Sequence, residues 1–349
     1  MDNTLTASDR SILADVTSFI HQGTYSQKIE LCRFLREQLR HVVLADLITI
    51  QELPLRIELI IKFHNLLKAG FASEKEYDFT NLQIAIFLLM PVKTLQSLHP
   101  YTSTIANSLT LQRLVPSLVH GVFPDGSSIY PSRVAITSKS ICQNDQEREK
   151  CLLRDQRVCV LTKATGANPC HIAPVGLTTN QANMYTFTDS IFMNKLMGDI
   201  GIQISRIMVT DSLGAFEKSW NMLCLHPTLC KWWSECLFGL KCLEVAPSDD
   251  LRTVVRIQFN WMPRNEVKPY DLARGYQRTL DAMMQTAITD EQRNFFYYLK
   301  SGDSFEILFD SKVEALKMKA ALDFQWVAVR LAAMSGISKE WKWESDDDD

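Results

Sequence analysis

Along roughly the first 120 residues, apolar side chains recur at steps of three and four, the period of a helix with one buried face. Ile12, Val16, Phe19 and Ile20 make one stripe, closed by Gly23, a residue suited to a helix C-terminus. Thr24-x-x-Gln27 has the form of a capping box, and Leu31, Leu35, Leu39 and Val42 share a face behind it. Pro54 stands where a first helical turn accepts proline, and an apolar helix runs from there to Gly70. Further helices are expected near 81–98 and 104–119.

The pattern then changes. A turn-rich stretch at 123–128 and a polar run at 144–150 suggest a boundary. Beyond it, 158–162 and 254–259 are rich in β-branched residues, while Pro227 opens a helix. A long helix follows the box Ser311-x-x-Glu314, with Val313, Leu316, Ala320, Phe324, Val327, Leu331 and Met334 as its packing stripe before Gly336. The expected fold class is α+β. A helical domain at 1–145 precedes a second domain at 146–345, whose strand-strand-helix core occupies about 154–243 and whose later strands and helix occupy 251–337. Residues 346–349 form an acidic tail.

Composition narrows the class. With 349 residues, 46% hydrophobic and 22% charged, the chain has enough apolar surface for a sizeable core. Lys and Arg total 37 against 40 Asp and Glu, so no polycation is present to drive sequence-independent nucleic-acid binding. The longest apolar run, 82–92, is far short of the ~20 residues of a membrane span. The opening residues show no basic and apolar leader, so a cytoplasmic or nuclear chain with no membrane partner is expected. Its nine cysteines, eight of them between Cys142 and Cys242, are then expected to be reduced, most of them as small buried hydrophobes. His21, His41, His64, His99 and His120 have no metal-ligand spacing and read as ordinary core or surface histidines.

Chemistry concentrates in two segments. The first runs from Arg154-Asp155 through Val158-Cys159-Val160-Leu161-Thr162 to Asn168-Pro169-Cys170-His171-Ile172-Ala173-Pro174, and reads as strand, turn, strand. In the second, Trp220-Asn221-Met222 leads through His226-Pro227 to Leu229-Cys230-Lys231-Trp232-Trp233, strand into helix. These motifs, in this order, resemble the fungal proteins that carry an HNH nuclease domain, and the resemblance covers roughly 150–337. It implies a ββα-metal unit in which His171 is a general base and Asn221 orients it, with the helix residue at position 230 holding a divalent cation.

At position 230 the family pattern has histidine, and this chain has Cys230. Magnesium favours oxygen ligands, so a thiolate makes a poor magnesium site, whereas zinc accepts one. A zinc site from Cys230, Cys170 and His226 is one expectation, although no paired Cys-x-x-Cys spacing supports it. A Cys230–His171 pair for covalent or general-base chemistry is another, and simple helix packing by Cys230 a third. Between Glu147 and Lys268, 14 Lys and Arg meet 12 Asp and Glu, a net of +2 where a nuclease must grip a phosphate backbone. The reading favoured is an enzyme on an HNH-like scaffold that has left nuclease work for a small metabolite, in cyclisation or acyl transfer. A metal-dependent endonuclease acting on nucleic acid and a silent interaction module are the alternatives. The four tryptophans Trp220, Trp232, Trp233 and Trp261 are expected in the core.

Overall fold

The structure is a computed structural model. It describes residues 52–70, 78–97, 145–178 and 198–336, except 174, 212, 249–250, 265–266, 274, 285–288, 290–291 and 293–298, together with three isolated positions, Thr17, Gln22 and Thr24. The helices expected at 12–23, 24–42 and 104–119 and the turn at 123–128 lie outside the described residues, as do Cys32 and Cys142. The chain forms two compact units, Met1–Val42 and Val43–Asp349, and every element named below belongs to the second.

Helix α1, Leu53–Gly70, starts at the proline that the sequence marks. Its Arg56 donates to the carbonyls of Leu88 and Met90, tying it to α2, Asn81–Leu89. Thr80 and Gln83 close a reciprocal capping box on α2, and the Pro269 and Asp271 carbonyls accept from the Leu82 and Asn81 amides. The single helix expected over 81–98 is two. Pro91 restrains Met90 to extended backbone, so α2 stops and α3, Val92–Gln96, begins again after it.

The polar run at 144–150 is part of helix α4, Asp145–Arg154, which buries Glu147 and Cys151. Burial pushes the Glu147 carboxyl up, but Lys150, the Ser219 amide and the Lys218 charge together outweigh it and hold the group below its ordinary 4.5. A depressed folded value means stability that is present above 4.5 and lost as the pH falls through the folded value. Glu147→Gln is expected to unfold about 1 kcal/mol more easily at pH 7. Denaturant titrations at a series of pH values should show that gap closing below 4.5.

The expected strand at 158–162 is a turn. Left-handed backbone at Gln156, Arg157 and Lys163 folds the segment on itself, and the Cys159 amide donates to Ala164 O at 2.8 Å. Cys159, Val160 and Leu161 are buried here, and the Val160 amide reaches Cys224 O at 2.8 Å. Strand β1, Asn168–His171, pairs antiparallel with β2, Met222–Leu225, in the register Asn168 to Leu225 and His171 to Met222. Helix α5, Asp199–Asp211, lies between them in sequence. A 3₁₀ turn, Ser219–Asn221, leads into β2, and helix α6, Pro227–Ser234, follows it.

A second antiparallel sheet has the order β3-β4-β5, formed by Phe238–Pro247, Thr253–Trp261 and Ser304–Phe309, with a bulge between Cys242 and Glu244. Helix α7, Tyr276–Met284, precedes β5. Helix α8, Lys312–Ser335, is capped by Ser311 and stopped by left-handed Gly336, as its sequence signals require. Its stripe is buried from Ala320 onward, but Val313 and Leu316 are exposed, and Ala315 and Met318 face inward in their place. Helix α8 packs on β3, β4, β5, α2, α5, α7 and the Ser219–Asn221 turn. It approaches β3 so closely that a Cβ on Gly239 would stand 3.0 Å from the Trp326 ring, with Met262 Cε, just past β4, at 2.6 Å.

Aromatic rings fill the space between α6 and the three-stranded sheet. Phe238 stacks on Phe259 at 4.9 Å and on Trp233 at 6.1 Å, while Trp232 meets Trp261 at 6.2 Å. The described chain is therefore α+β, with eight helices, two small antiparallel sheets and a long C-terminal helix among the described residues. No described helix is long and apolar enough to cross a membrane.

Candidate functional site

The β1-β2 pair is held from below by Arg154 and Asp155. The Arg154 guanidinium donates to Ser219 O at 2.9 Å and Met222 O at 2.7 Å, and lies 5.0 Å from the centre of the Phe309 ring. Both Asp155 oxygens accept from it, and Asp155 Oδ2 also accepts from the Cys224 amide at 2.9 Å. Burial alone would disfavour the Arg154 charge, but Asp155 more than restores it and raises the guanidinium above its ordinary value. The Arg-Asp step of the motif is thus a buried bracket that joins α4 to β2.

Cys151 and Cys224 lie beside this bracket, their sulfurs 3.7 Å apart, and Asp155 completes a trio close enough for a cation. The trio is better satisfied without one. Its carboxylate is already fully engaged, and Arg154 Nη2 stands 3.4 Å from Cys151 Sγ, where its fixed charge would oppose a metal. The hydrogen bond to Cys224, followed by burial, pushes the Cys151 thiol far up, so it stays protonated.

Asn221 is wholly buried and spends its amide on backbone. Its Oδ1 accepts from the Ala173 amide at 2.9 Å, and its Nδ2 donates to Ala173 O at 2.8 Å and Phe216 O at 3.0 Å. With the Ile172 amide donating to Asn221 O at 2.8 Å, one residue clamps the chain just after β1 onto the turn before β2. Asn221 thus holds the backbone that follows His171, and among the described residues it makes no bond to the His171 ring.

His171 ends β1 with 23% of its side chain exposed. Its Nε2 is closed to solvent, has no hydrogen-bond partner among the described residues, and lies 3.4 Å from Glu217 Oε2, an ion-pair distance without hydrogen-bond alignment. Glu217, itself 15% exposed, follows the turn in which its amide donates to Gly214 O at 2.9 Å. Sequence reading missed Glu217. Its one signal is an acid just ahead of the Trp220-Asn221 motif, and nothing local links it to His171.

The expected place of Cys230 changes most. Its sulfur is bonded to Cys170 in a disulfide with a Cα–Cα distance of 6.3 Å, across 60 residues of sequence. Neighbouring strand residues project to opposite faces, so Cys230 sits on the Cys170 side of β1 and not against His171. The Cys230–His171 pair is not formed. Nor is the Cys230, Cys170 and His226 ligand set, because both sulfurs are spent on each other and His226 serves as N-cap of α6, its Nδ1 accepting from the Thr228 amide at 3.4 Å. In this covalent state the residues present fit neither a magnesium nor a zinc centre at position 230. Among the described cysteines, Cys151, Cys159, Cys224, Cys236 and Cys242 are unpaired.

Comparison with protein-family models, with curated proteins and with solved structures found no match to this chain.

Proposed function

We propose that the chain is an acid–base enzyme acting on a small metabolite, with His171 as general base and Glu217 as its carboxylate partner, on a diverged HNH-like scaffold. The observation that carries this reading is the setting of His171: its Nε2 is shielded and faces a carboxylate oxygen at 3.4 Å, while 23% of the side chain stays exposed. With the proton on Nε2, the nitrogen beside Glu217, the Nδ1 lone pair is the one left to act. That is the tautomer a base needs. Nδ1 takes a proton from a substrate N–H, O–H or activated C–H, and the imidazolium that forms is stabilised by Glu217 until the proton is returned to the leaving group. Cyclisation and acyl transfer both use this sequence of proton transfers.

The same carboxylate argues against a phosphodiester substrate. Glu217 places negative charge 3.4 Å from Nε2 of the base, a fixed charge that opposes an anionic phosphate drawn to the same ring, and the disulfide removes the thiolate that would have held a compensating cation. A neutral substrate meets no such opposition.

The test uses p-nitrophenyl acetate as an acyl-transfer probe alongside plasmid nicking in magnesium, manganese and zinc. Ester turnover is expected to fall about 100-fold in His171→Ala, the lower end of the usual span for acid–base catalysis, and about tenfold in Glu217→Gln, which keeps the base and loses its partner's charge. Equal turnover by wild type and His171→Ala would sink the proposal. So would plasmid nicking that disappears in His171→Ala, which would restore the endonuclease reading.

A further inference from the structure

We infer that the Cys170–Cys230 disulfide is a redox clasp that sets the position of His171. The inference rests on His171 being the working base. Cys170 immediately precedes His171 on a strand of only four residues, and Cys230 lies on α6, so one bond couples the base-bearing strand to the helix. The two sides of His171 are held differently. After it, Asn221 grips Ala173 and Ile172 by hydrogen bonds that do not involve sulfur. Before it, the lateral ties are the β1-β2 ladder and the disulfide. Breaking the disulfide therefore loosens 168–171 while leaving 172–173 anchored, and the residue that moves relative to Glu217 is the base.

Access favours this bond over the other sulfurs. Cys170 and Cys230 are both partly exposed, whereas Cys151, Cys159, Cys224 and Cys236 are buried. The Cys151 and Cys224 sulfurs are close, yet burial and their mutual hydrogen bond keep Cys151 protonated and out of exchange. Cys242 is partly exposed, but burial pushes its thiol up to about 11, so little thiolate is present near neutral pH.

The reaction is two-electron thiol–disulfide exchange with a dithiol reductant. One reductant thiolate attacks a sulfur of the Cys170–Cys230 bond, which breaks and releases the other cysteine as a thiolate, leaving a mixed disulfide. The second reductant thiol then displaces the bound cysteine. The reductant ends as a disulfide, and Cys170 and Cys230 end as thiols carrying the two protons it lost.

The experiment compares full-length protein before and after dithiothreitol by histidine-labelled NMR, amide exchange and alkylation with mass analysis, with the Cys170→Ser/Cys230→Ser variant in parallel. Reduction should expose the two cysteines to alkylation, shift the His171 ring signals, and speed amide exchange at 168–171 at least tenfold, with 304–335 unchanged. The double variant should match the reduced protein in both conditions. Unchanged His171 signals on reduction would overturn the clasp. So would loss of protection throughout the three-stranded sheet, which marks a structural staple, or alkylation of Cys170 and Cys230 without reductant. If the His171 signals shift but p-nitrophenyl acetate is turned over in neither state, the clasp stands and the acid–base reading of His171 fails.

Discussion

Asp155→Asn is expected to cost about 3–5 kcal/mol of unfolding free energy, because it strips one partner from a buried ion pair and leaves the other charged. Arg154 keeps its charge at any accessible pH, so the variant must bury a guanidinium whose closest acceptors are then the Ser219 and Met222 carbonyls and a neutral amide. The amide also presents N–H groups toward Arg154 or toward the Cys224 amide, whichever way it turns. Urea titration of the variant should show a lower midpoint at similar slope. A double change, Arg154→Met with Asp155→Asn, should recover part of the loss, since removing both charges spares the desolvation of the orphan. A loss below about 1 kcal/mol for Asp155→Asn would mean that the bracket is solvated in solution.

Asn221→Ala is expected to cost about 3–4 kcal/mol, through three backbone groups left without partners in a fully buried place, each worth roughly 1 kcal/mol or more. The effect should also be local. Amide exchange at 172–173 and at 216 should accelerate more than in β4, and ester turnover should fall together with His171 order. Asn221→Asp should do less harm to the Ala173 amide, which keeps an acceptor, and more to the Ala173 and Phe216 carbonyls, which would face a carboxylate. If Asn221→Ala left both stability and turnover intact, the turn before β2 would be held by other means.

Signals carried within one turn of helix or one strand were legible. Pro54, Pro227, Ser311 and Gly336 mark the ends of α1, α6 and α8, because caps and prolines act on the backbone beside them. The β-branched stretch at 254–259 is β4, since its alternating Val255, Ile257 and Phe259 side chains bury one face of the strand. The order strand, strand, helix around His171 and Asn221 was also legible, although its first expected strand at 158–162 is a turn, where Cys159, Val160 and Leu161 pack inward off a bent backbone. What escaped is non-local. The Glu217–His171 approach and the Cys170–Cys230 bond each join residues that only the folded chain brings together. Reduced thiols were expected from the context of the chain, and that expectation hid the pairing. Helix α4 escaped for a different reason: a run of charges looks like a linker until Glu147 finds Lys150 and the Ser219 amide as partners.

The close fit of α8 on the sheet also bears on the birth of the molecule. Strands β3, β4 and β5 all precede α8 in the chain, so during synthesis they emerge before the helix that covers them. Until α8 can settle on the sheet, the surface that it covers on β3, β4 and β5 stays open, and a nascent sheet in that state is prone to pair with other chains. Slow elongation between β5 and α8 would lengthen that interval, and a chaperone that shields apolar strands would act in the same window.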